Sequence, residues 1–309
     1  MNLKKIILVT GATGAQGGSV AKALLNENKF AVRILTRNAR SPKAIALREA
    51  GAEIAEGDLD DMQSLLLAMK DVYGVFGVTS FWEHFEKEYQ HGKNLVEAVH
   101  QSGIKHFVYS SLANYNELSC GTLSVPHCDI KAALEEYARS LNIPATFVSI
   151  AFYYQNFLSF FPLQKDENDH FFFGFPQGDT KLSIVNVEDM GGVVAPIFDH
   201  PAEYIGRRVG IVGEDLTCDE YAAILSKVLQ QNVYYKYIPR DVYAGFGFPG
   251  SEELANMFEV QRLYIKNRQL DLIESYGLNP SMQRFEKWLE KNKEKFAPHI
   301  AAQLPVTVN

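Results

Sequence analysis

The 309-residue sequence predicts an α/β fold: a Rossmann-type doubly wound parallel sheet with a smaller C-terminal α/β lid domain. Three observations carry that expectation. Up to about residue 150, short apolar runs alternate with amphipathic stretches at the spacing of strand–helix–strand units, the pattern of a parallel sheet covered on both faces. A glycine-rich loop follows the first apolar run and opens a helix. After residue 151 the alternation breaks and aromatic residues crowd together.

Each element follows from local chemistry. Lys5 to Thr10, with Ile6-Ile7-Leu8-Val9 in a row, reads as a buried strand rather than the start of a signal peptide. Ser19 to Leu25 is helical. Ala31 to Thr36 is the second strand, and Pro42 to Ala50 a helix stopped by Gly51. Ala52 to Glu56 is a third strand, followed by a helix over Met62 to Met69 with Asp60 or Asp61 as cap. Val72 to Val78, His106 to Ser110 and Ala145 to Ile150 are the next three strands. The long helix Glu86 to Gln101, ending at Gly103, and the helix Asp129 to Ser140 lie between them. Beyond residue 151, Asn186 caps a helix start and Arg208 to Val212 is a strand. Thr217 with Glu220 forms a capping box for a helix to Leu229. Val233 to Ile238 is a strand; Glu252 to Tyr264 and Met282 to Lys293 are helices. The tail Pro305 to Asn309 is expected to fray. The division expected is 1–152 as a nucleotide-binding domain with 187–213 returning to it, and 153–186 with 214–309 as the smaller domain.

Composition narrows the function. Thirty Lys and Arg against 37 Asp and Glu leave a net charge of −7, which argues against a nucleic-acid surface. A 47 % apolar and 22 % charged composition is that of a globular chain, not a disordered one. No apolar run approaches the roughly 18 residues of a membrane span. Three cysteines, Cys120, Cys128 and Cys218, contain no C-x-x-C pair, so each is expected to serve packing in a reducing, cytoplasmic compartment. His84, His91, His100 and His106 lack zinc-like spacing, and no metal is expected.

The loop Gly11-Ala12-Thr13-Gly14-Ala15-Gln16-Gly17 has G-x-x-G-x-x-G spacing between a strand and a helix. Glycines there let backbone N–H groups approach a pyrophosphate at a helix N-terminus; the alternative is a purely structural turn. At the end of the second strand an NAD site carries an acid. Here Thr36-Arg37-Asn38 stands instead, with no acid between Val32 and Arg48. A guanidinium grips a 2′-phosphate that a carboxylate repels, so Arg37 points to NADP(H). Asp58 either meets the adenine or caps the next helix. Val78-Thr79-Ser80, at the carboxyl edge of the fourth strand, is expected to line the nicotinamide ribose, with Thr79 the candidate.

Thr10 to Val20, Thr36-Arg37-Asn38, Glu56-Gly57-Asp58 and Tyr109-Ser110-Ser111 resemble the short-chain dehydrogenase/reductase superfamily in its atypical, NmrA-like branch. Phe81-Trp82-Glu83, Phe248-Pro249-Gly250, Leu254-Ala255-Asn256-Met257-Phe258 and Trp288-Leu289-Glu290 extend the resemblance over nearly the whole chain, toward the redox-sensor type. The superfamily's chemistry uses a Ser and a Tyr-x-x-x-Lys pair on one helix face. Here the frame reads His127-Cys128-Asp129-Ile130-Lys131. Lys131 is in place to hold the nicotinamide ribose, and His127 stands where the tyrosine would. The resemblance also puts Tyr154 and Asn156 beside the nicotinamide, with Phe157, Phe160 and Phe161 either walling an apolar pocket or forming core.

Three readings follow. The chain binds NADP(H) as a regulatory redox sensor whose protein partner or homodimer contacts follow the cofactor. Or it is an NADPH-dependent reductase of a quinone-like or aromatic small molecule, with His127 as general acid, since imidazole titrates near neutral pH. Or the acceptor takes a hydride without a nearby acid. His127, following Pro126, is alternatively a loop residue. The missing tyrosine favours the sensor.

Overall fold

The computed structural model describes residues 4–83 and 85–298. The expectations for His84 and for the tail Pro305 to Asn309 lie outside the described residues.

Short apolar runs become strands Ile6–Val9 (β1), Ala31–Thr36 (β2), Glu53–Glu56 (β3), Val72–Gly77 (β4), His106–Ser110 (β5) and Ala145–Ile150 (β6). Between them run helices Ala15–Glu27 (α1), Pro42–Glu49 (α2), Met62–Ala68 (α3), Glu88–Gln101 (α4), Tyr115–Leu118 (α5) and Pro126–Ser140 (α6). In the second half of the chain come Phe152–Tyr153 (β7), Gln164–Lys165 (β8), Phe171–Phe175 (β9), Lys181–Val185 (β10), Arg208–Ile211 (β11), Glu214–Thr217 (β12) and Val233–Tyr237 (β13). The helices there are Met190–Asp199 (α7), Pro201–Tyr204 (α8), Cys218–Leu229 (α9), Arg240–Ala244 (α10), Ser251–Tyr264 (α11), Gln269–Leu278 (α12) and Phe285–Asn292 (α13).

The main sheet has seven strands in the order β11-β6-β5-β4-β1-β2-β3, every neighbouring pair parallel. The order reverses between β1 and β4, so their carboxyl ends part and leave a crevice, the place where open α/β sheets bind ligands. Two small sheets, β12-β10-β7 and β13-β9-β8, are built from the second half of the chain.

Apolar side chains gather in three cores. One lies under α1 and α7, with Val20, Leu24, Val194 and Ile197 buried against the sheet. One lies on the opposite face under α4 and α6, around Leu95, Val99, Phe107 and Leu134. The third is aromatic, with Tyr154, Phe157, Phe173, Phe175, Phe258 and Phe285. Among the described residues no helix is long and apolar enough to cross a membrane.

The sequence-predicted capping box on α9 forms, Thr217 and Glu220 satisfying each other's backbone N–H. Asp61, not Asp60, caps α3, accepting from the N–H groups of Gln63 and Ser64. Two expectations need correction. The last helix is shorter than Met282 to Lys293 and starts at Phe285. Cys120 does not pack: it is exposed in a left-handed turn with φ 53°, while Cys128 and Cys218 are buried.

Candidate functional site

The glycine loop is pinned before it turns. Thr10 Oγ1 donates to the carbonyl of Val78 (3.2 Å) and accepts from its N–H (2.9 Å), tying the loop to the end of β4. Gly11 has φ +59°, and a Cβ there would lie 2.7 Å from Val78 Cγ1. A Cβ on Gly17 would lie 2.4 Å from the carbonyl oxygens of Thr10 and Gly11. Both positions therefore exclude side chains. Gly14 is the N-cap of α1, and no side chain caps that helix start. The result is a bare backbone cradle that suits a pyrophosphate. Gly11, Thr13, Gly14, Ala15, Gln16 and Gly17 line a cleft of about 1000 Å³ that runs along the crevice. Ala12 does not line it; its side chain is buried in the core beneath the loop.

At one end of the cleft stand Arg37 and Asn38, after β2, together with Ser41 and Lys43. Arg37 is exposed, its Nη2 3.9 Å from Glu83 Oε2. Lys43, on α2, donates to the carbonyl of Thr13 (3.0 Å), bringing a second cation beside the glycine loop. The sequence reading missed Lys43, although Pro42 marks the helix start that places it. Asp58 lines the cleft and accepts from the N–H of Asp60, so it does not cap α3. Asp58, Asp60 and His91 bring potential metal-ligand atoms within 4.8 Å of one another. Lys87, donating to Asp60 (2.8 Å), holds that carboxyl below the usual carboxylate range, and His91 Nε2 lies 2.9 Å from its other oxygen.

At the other end, Lys131 is buried and paired. Its ammonium donates to Glu88 Oε1 (2.5 Å), Thr79 Oγ1 (3.0 Å) and the carbonyl of Thr79 (3.2 Å). Thr79 in turn donates to Glu88 (2.6 Å). Glu88 is fully buried at the start of α4 and balances the lysine's charge, as a buried ion must be balanced. Thr79 and Lys131 face the cleft; Glu88 stands behind them. Close by, Ser110 Oγ donates to Gln16 Oε1 (2.6 Å), and Gln16 Nε2 donates to the Tyr153 hydroxyl (2.6 Å). Burial pushes the Tyr153 phenol up to about 12, with the Gln16 hydrogen bond opposing.

Asn156 reaches the cleft; Tyr154 does not. Tyr154 is fully buried in the aromatic core, and its hydroxyl donates to the carbonyl of Gln283 (3.0 Å). Its neighbour Tyr153 takes the cleft position instead. Of the two alternatives open for the phenylalanines, Phe160 and Phe161 line the cleft, Phe161 also touching the aromatic core, and Phe157 is core alone.

His127 is not in a loop. It follows Pro126 in the first turn of α6, largely buried, with its ring on the cleft wall. Its ring centre is 5.8 Å from that of Phe81 and 5.6 Å from that of Trp82. Glu253 Oε1, from α11, accepts from the His127 backbone N–H (2.7 Å) and lies 2.6 Å from Nδ1. Phe81, Trp82, Phe152, Phe160, Phe161 and Met257 make this end of the cleft an aromatic chamber. Cys128, beside it, is buried, and burial raises its thiol well above the usual value.

With this geometry established, relatives give the lineage. The NmrA-like family model matches residues 3–290. The chain is 31 % identical over 246 residues to an NmrA-like family domain-containing protein of Dictyostelium discoideum, covering 76 % of this chain and 81 % of the relative. It is 32 % identical over 273 residues to an NmrA-like family domain-containing oxidoreductase of Aspergillus hancockii, covering 82 % of each. The solved structure of NmrA, a negative transcriptional regulator, in complex with NADP superposes with a TM-score of 0.81 at 22 % identity, over 98 % of this chain and 99 % of that one. The chain belongs to the NmrA-like family.

Proposed function

We propose that this NmrA-like protein binds NADP(H) and reduces a small apolar acceptor, quinone-like or aromatic, in the chamber between Trp82 and Met257. The observation that carries the proposal is the chamber itself. It opens from the same cleft as the glycine cradle, and the imidazole of His127 stands on its lining beside Phe81 and Trp82. Concave, mostly apolar walls with a few convergent polar groups are what small-molecule sites require. The crystallised NmrA holds NADP, and the Aspergillus relative is named an oxidoreductase; both names support the reading.

The chain's own residues divide the work. The backbone of Gly11 to Gly17 and the open start of α1 hold the pyrophosphate. Arg37, supported by Lys43, grips the 2′-phosphate. Asp58 faces the adenine end. Thr79 and Lys131 hold the nicotinamide ribose, with Glu88 fixing the lysine. Asn156, Ser110, Gln16 and Tyr153 frame the nicotinamide end. Bound there, the reduced cofactor supplies a hydride. His127 supplies the proton that the usual tyrosine gives elsewhere. On this assignment 1–152 with 187–213 forms the nucleotide-binding domain, and 153–186 with 214–309 the lid over the acceptor. The cysteine pattern supports a reducing cytoplasmic setting.

Stripped protein titrated with NADPH, NADP⁺ and NADH, by calorimetry with light scattering, tests the reading alongside NADPH absorbance against a panel of quinones and aromatic carbonyls. The expected result is tighter binding of NADPH than NADH and steady oxidation with at least one acceptor. Binding with a change of mass and no oxidation would establish a regulatory sensor instead, the reading that the missing tyrosine favours.

A further inference from the structure

Glu253 comes from α11, 126 positions along the chain from His127, and has no place in the superfamily's Ser–Tyr–Lys scheme. Its carboxylate does two things at once. Oε1 accepts the backbone N–H of His127 at 2.7 Å, near the start of α6, where Val125 offers no side-chain cap. The same oxygen lies 2.6 Å from His127 Nδ1. An ionised carboxylate only accepts hydrogen bonds, so the Nδ1 of His127 carries a proton. The ring is gripped at its backbone and at one nitrogen by one atom. Phe81 and Trp82 restrict it from the side.

We infer that Glu253 is the positioning residue of the proton donor: it fixes His127 with Nδ1–H turned to the carboxylate and Nε2 free to serve the acceptor. The inference rests on the reductase reading. A carboxylate that holds an imidazole in one tautomer and stabilises its imidazolium is a recurrent device for acid–base histidines. In the step, Nε2–H of the imidazolium passes its proton to the acceptor's carbonyl oxygen while the carbonyl carbon gains a hydride with its electron pair. C=O becomes CH–OH, the nicotinamide cofactor is oxidised, and His127 is left neutral with its Nδ1–H still on Glu253. Water returns the proton to Nε2. The acceptor class for this step is therefore an aromatic ketone or aldehyde, flat enough for the rings of Trp82 and Phe160 and presenting one oxygen to His127. An acceptor with no atom to protonate would not need the pair.

Two readouts test this, one of them independent of turnover. Long-range ¹H–¹⁵N NMR of the imidazole in the cofactor-free protein should show His127 protonated at Nδ1; a neutral ring protonated only at Nε2 overturns the inference whatever the kinetics. In Glu253→Gln the amide oxygen still accepts the backbone N–H, so α6 keeps its cap while the charge is lost. With the best acceptor of the panel, kcat should fall about 10-fold in Glu253→Gln and about 100-fold in Glu253→Ala, within the contribution expected of a well-placed general acid. Glu253→Asp should recover part of the loss. The KM for NADPH should stay within about twofold throughout, because Glu253 does not line the cleft. The double variant His127→Ala/Glu253→Ala should be no slower than His127→Ala alone; independent, multiplying losses overturn the pairing. If wild-type protein oxidises NADPH with no acceptor, the reductase reading and the donor role fall together, and the tautomer alone then decides whether Glu253 sets the ring.

Discussion

Arg37 Nη2 lies 3.9 Å from Glu83 Oε2, and both side chains are more than half exposed. A guanidinium on the cleft lining is placed to grip a phosphate. Arg37→Ala should weaken NADPH binding more than NADH binding, narrowing the gap between them by about 1.5–3 kcal/mol, the worth of a charged hydrogen bond. Equal losses in calorimetry would remove Arg37 from the 2′-phosphate. Lys131 differs because it is spent internally before any ligand arrives. Lys131→Ala should weaken NADPH and NADH alike, since both share the nicotinamide ribose. It also strands Glu88, fully buried, without its counter-charge, a change that costs about 3–5 kcal/mol. Urea unfolding should show that loss, and Lys131→Met with Glu88→Leu should restore most of it; a stable Lys131→Ala protein would mean the pair is not the brace inferred. The sequence made Lys131 and Arg37 legible because each stands at a fixed offset from a motif. It hid Glu88 and Glu253, which lie 43 and 126 positions from the partners they serve. It misassigned Tyr154 by one residue. Tyr153 ends β7 on the cleft, whereas Tyr154 begins the 3-10 turn Tyr154–Leu158 that carries its ring into the core.

Helix α6 shows what local signals can and cannot place. The sequence reading begins this helix at Asp129, which lies in its first turn. Its carboxylate accepts from the N–H groups of Tyr115 and Asn116 at the start of α5 and of Val125 just before α6, at 2.8–3.0 Å. Pro126 opens the helix at its first position, where a missing N–H costs nothing. That three-residue difference moves His127 out of a loop and onto a rigid element. Helix α12 was not foreseen because Leu270 and Ile273 are 81 % and 60 % exposed, which blurs the amphipathic pattern. Strand β5 begins with a residue that makes stability depend on pH. His106 is fully buried, and desolvation lowers its pKa to about 4. Thr146 Oγ1, 2.8 Å from Nε2, already donates to the carbonyl of Tyr204, so it accepts from the ring. Nδ1 then has no partner among the described residues, and no acceptor awaits a second proton. The folded value lies below the ordinary 6.5, so the neutral ring's contribution is complete above pH 6.5 and is lost as pH falls from 6.5 toward 4. The loss amounts to about 3 kcal/mol. Urea titrations of wild type and His106→Gln across that window should show a slope in the first that flattens in the second; equal slopes would move the pH dependence elsewhere.

Over the whole molecule, the chain order and the spatial order disagree, and that interleaving binds the two halves. Strand β11 returns from the second half to pair with β6 at the edge of the main sheet. Helix α12 follows it there: Ser275 Oγ donates to the carbonyl of Gly210 and accepts from the N–H of Val212, both at 3.0 Å. Helix α7 packs so closely on α1 that a Cβ on Gly191 would lie 2.2 Å from the carbonyl oxygen of Ser19. In the other direction, Tyr115, Val125 and Cys128 of the first half are buried in the aromatic core of the second. Ser124 accepts from Asn256 (2.9 Å), and Gln16 holds Tyr153 across the cleft. Neither half keeps an intact core when the other opens, so unfolding should be one cooperative event despite a length at which separate steps are common. Calorimetry should show a single transition whose van't Hoff and calorimetric enthalpies agree. Free NADPH at about 100 times its Kd should stabilise the whole of it by about 2.7 kcal/mol, because a ligand that binds only the native state stabilises whatever unfolds with its site. Two transitions, with only the earlier or the later moving on NADPH addition, would show instead that the aromatic half folds by itself and that His127 and Glu253 meet across a joint that can open.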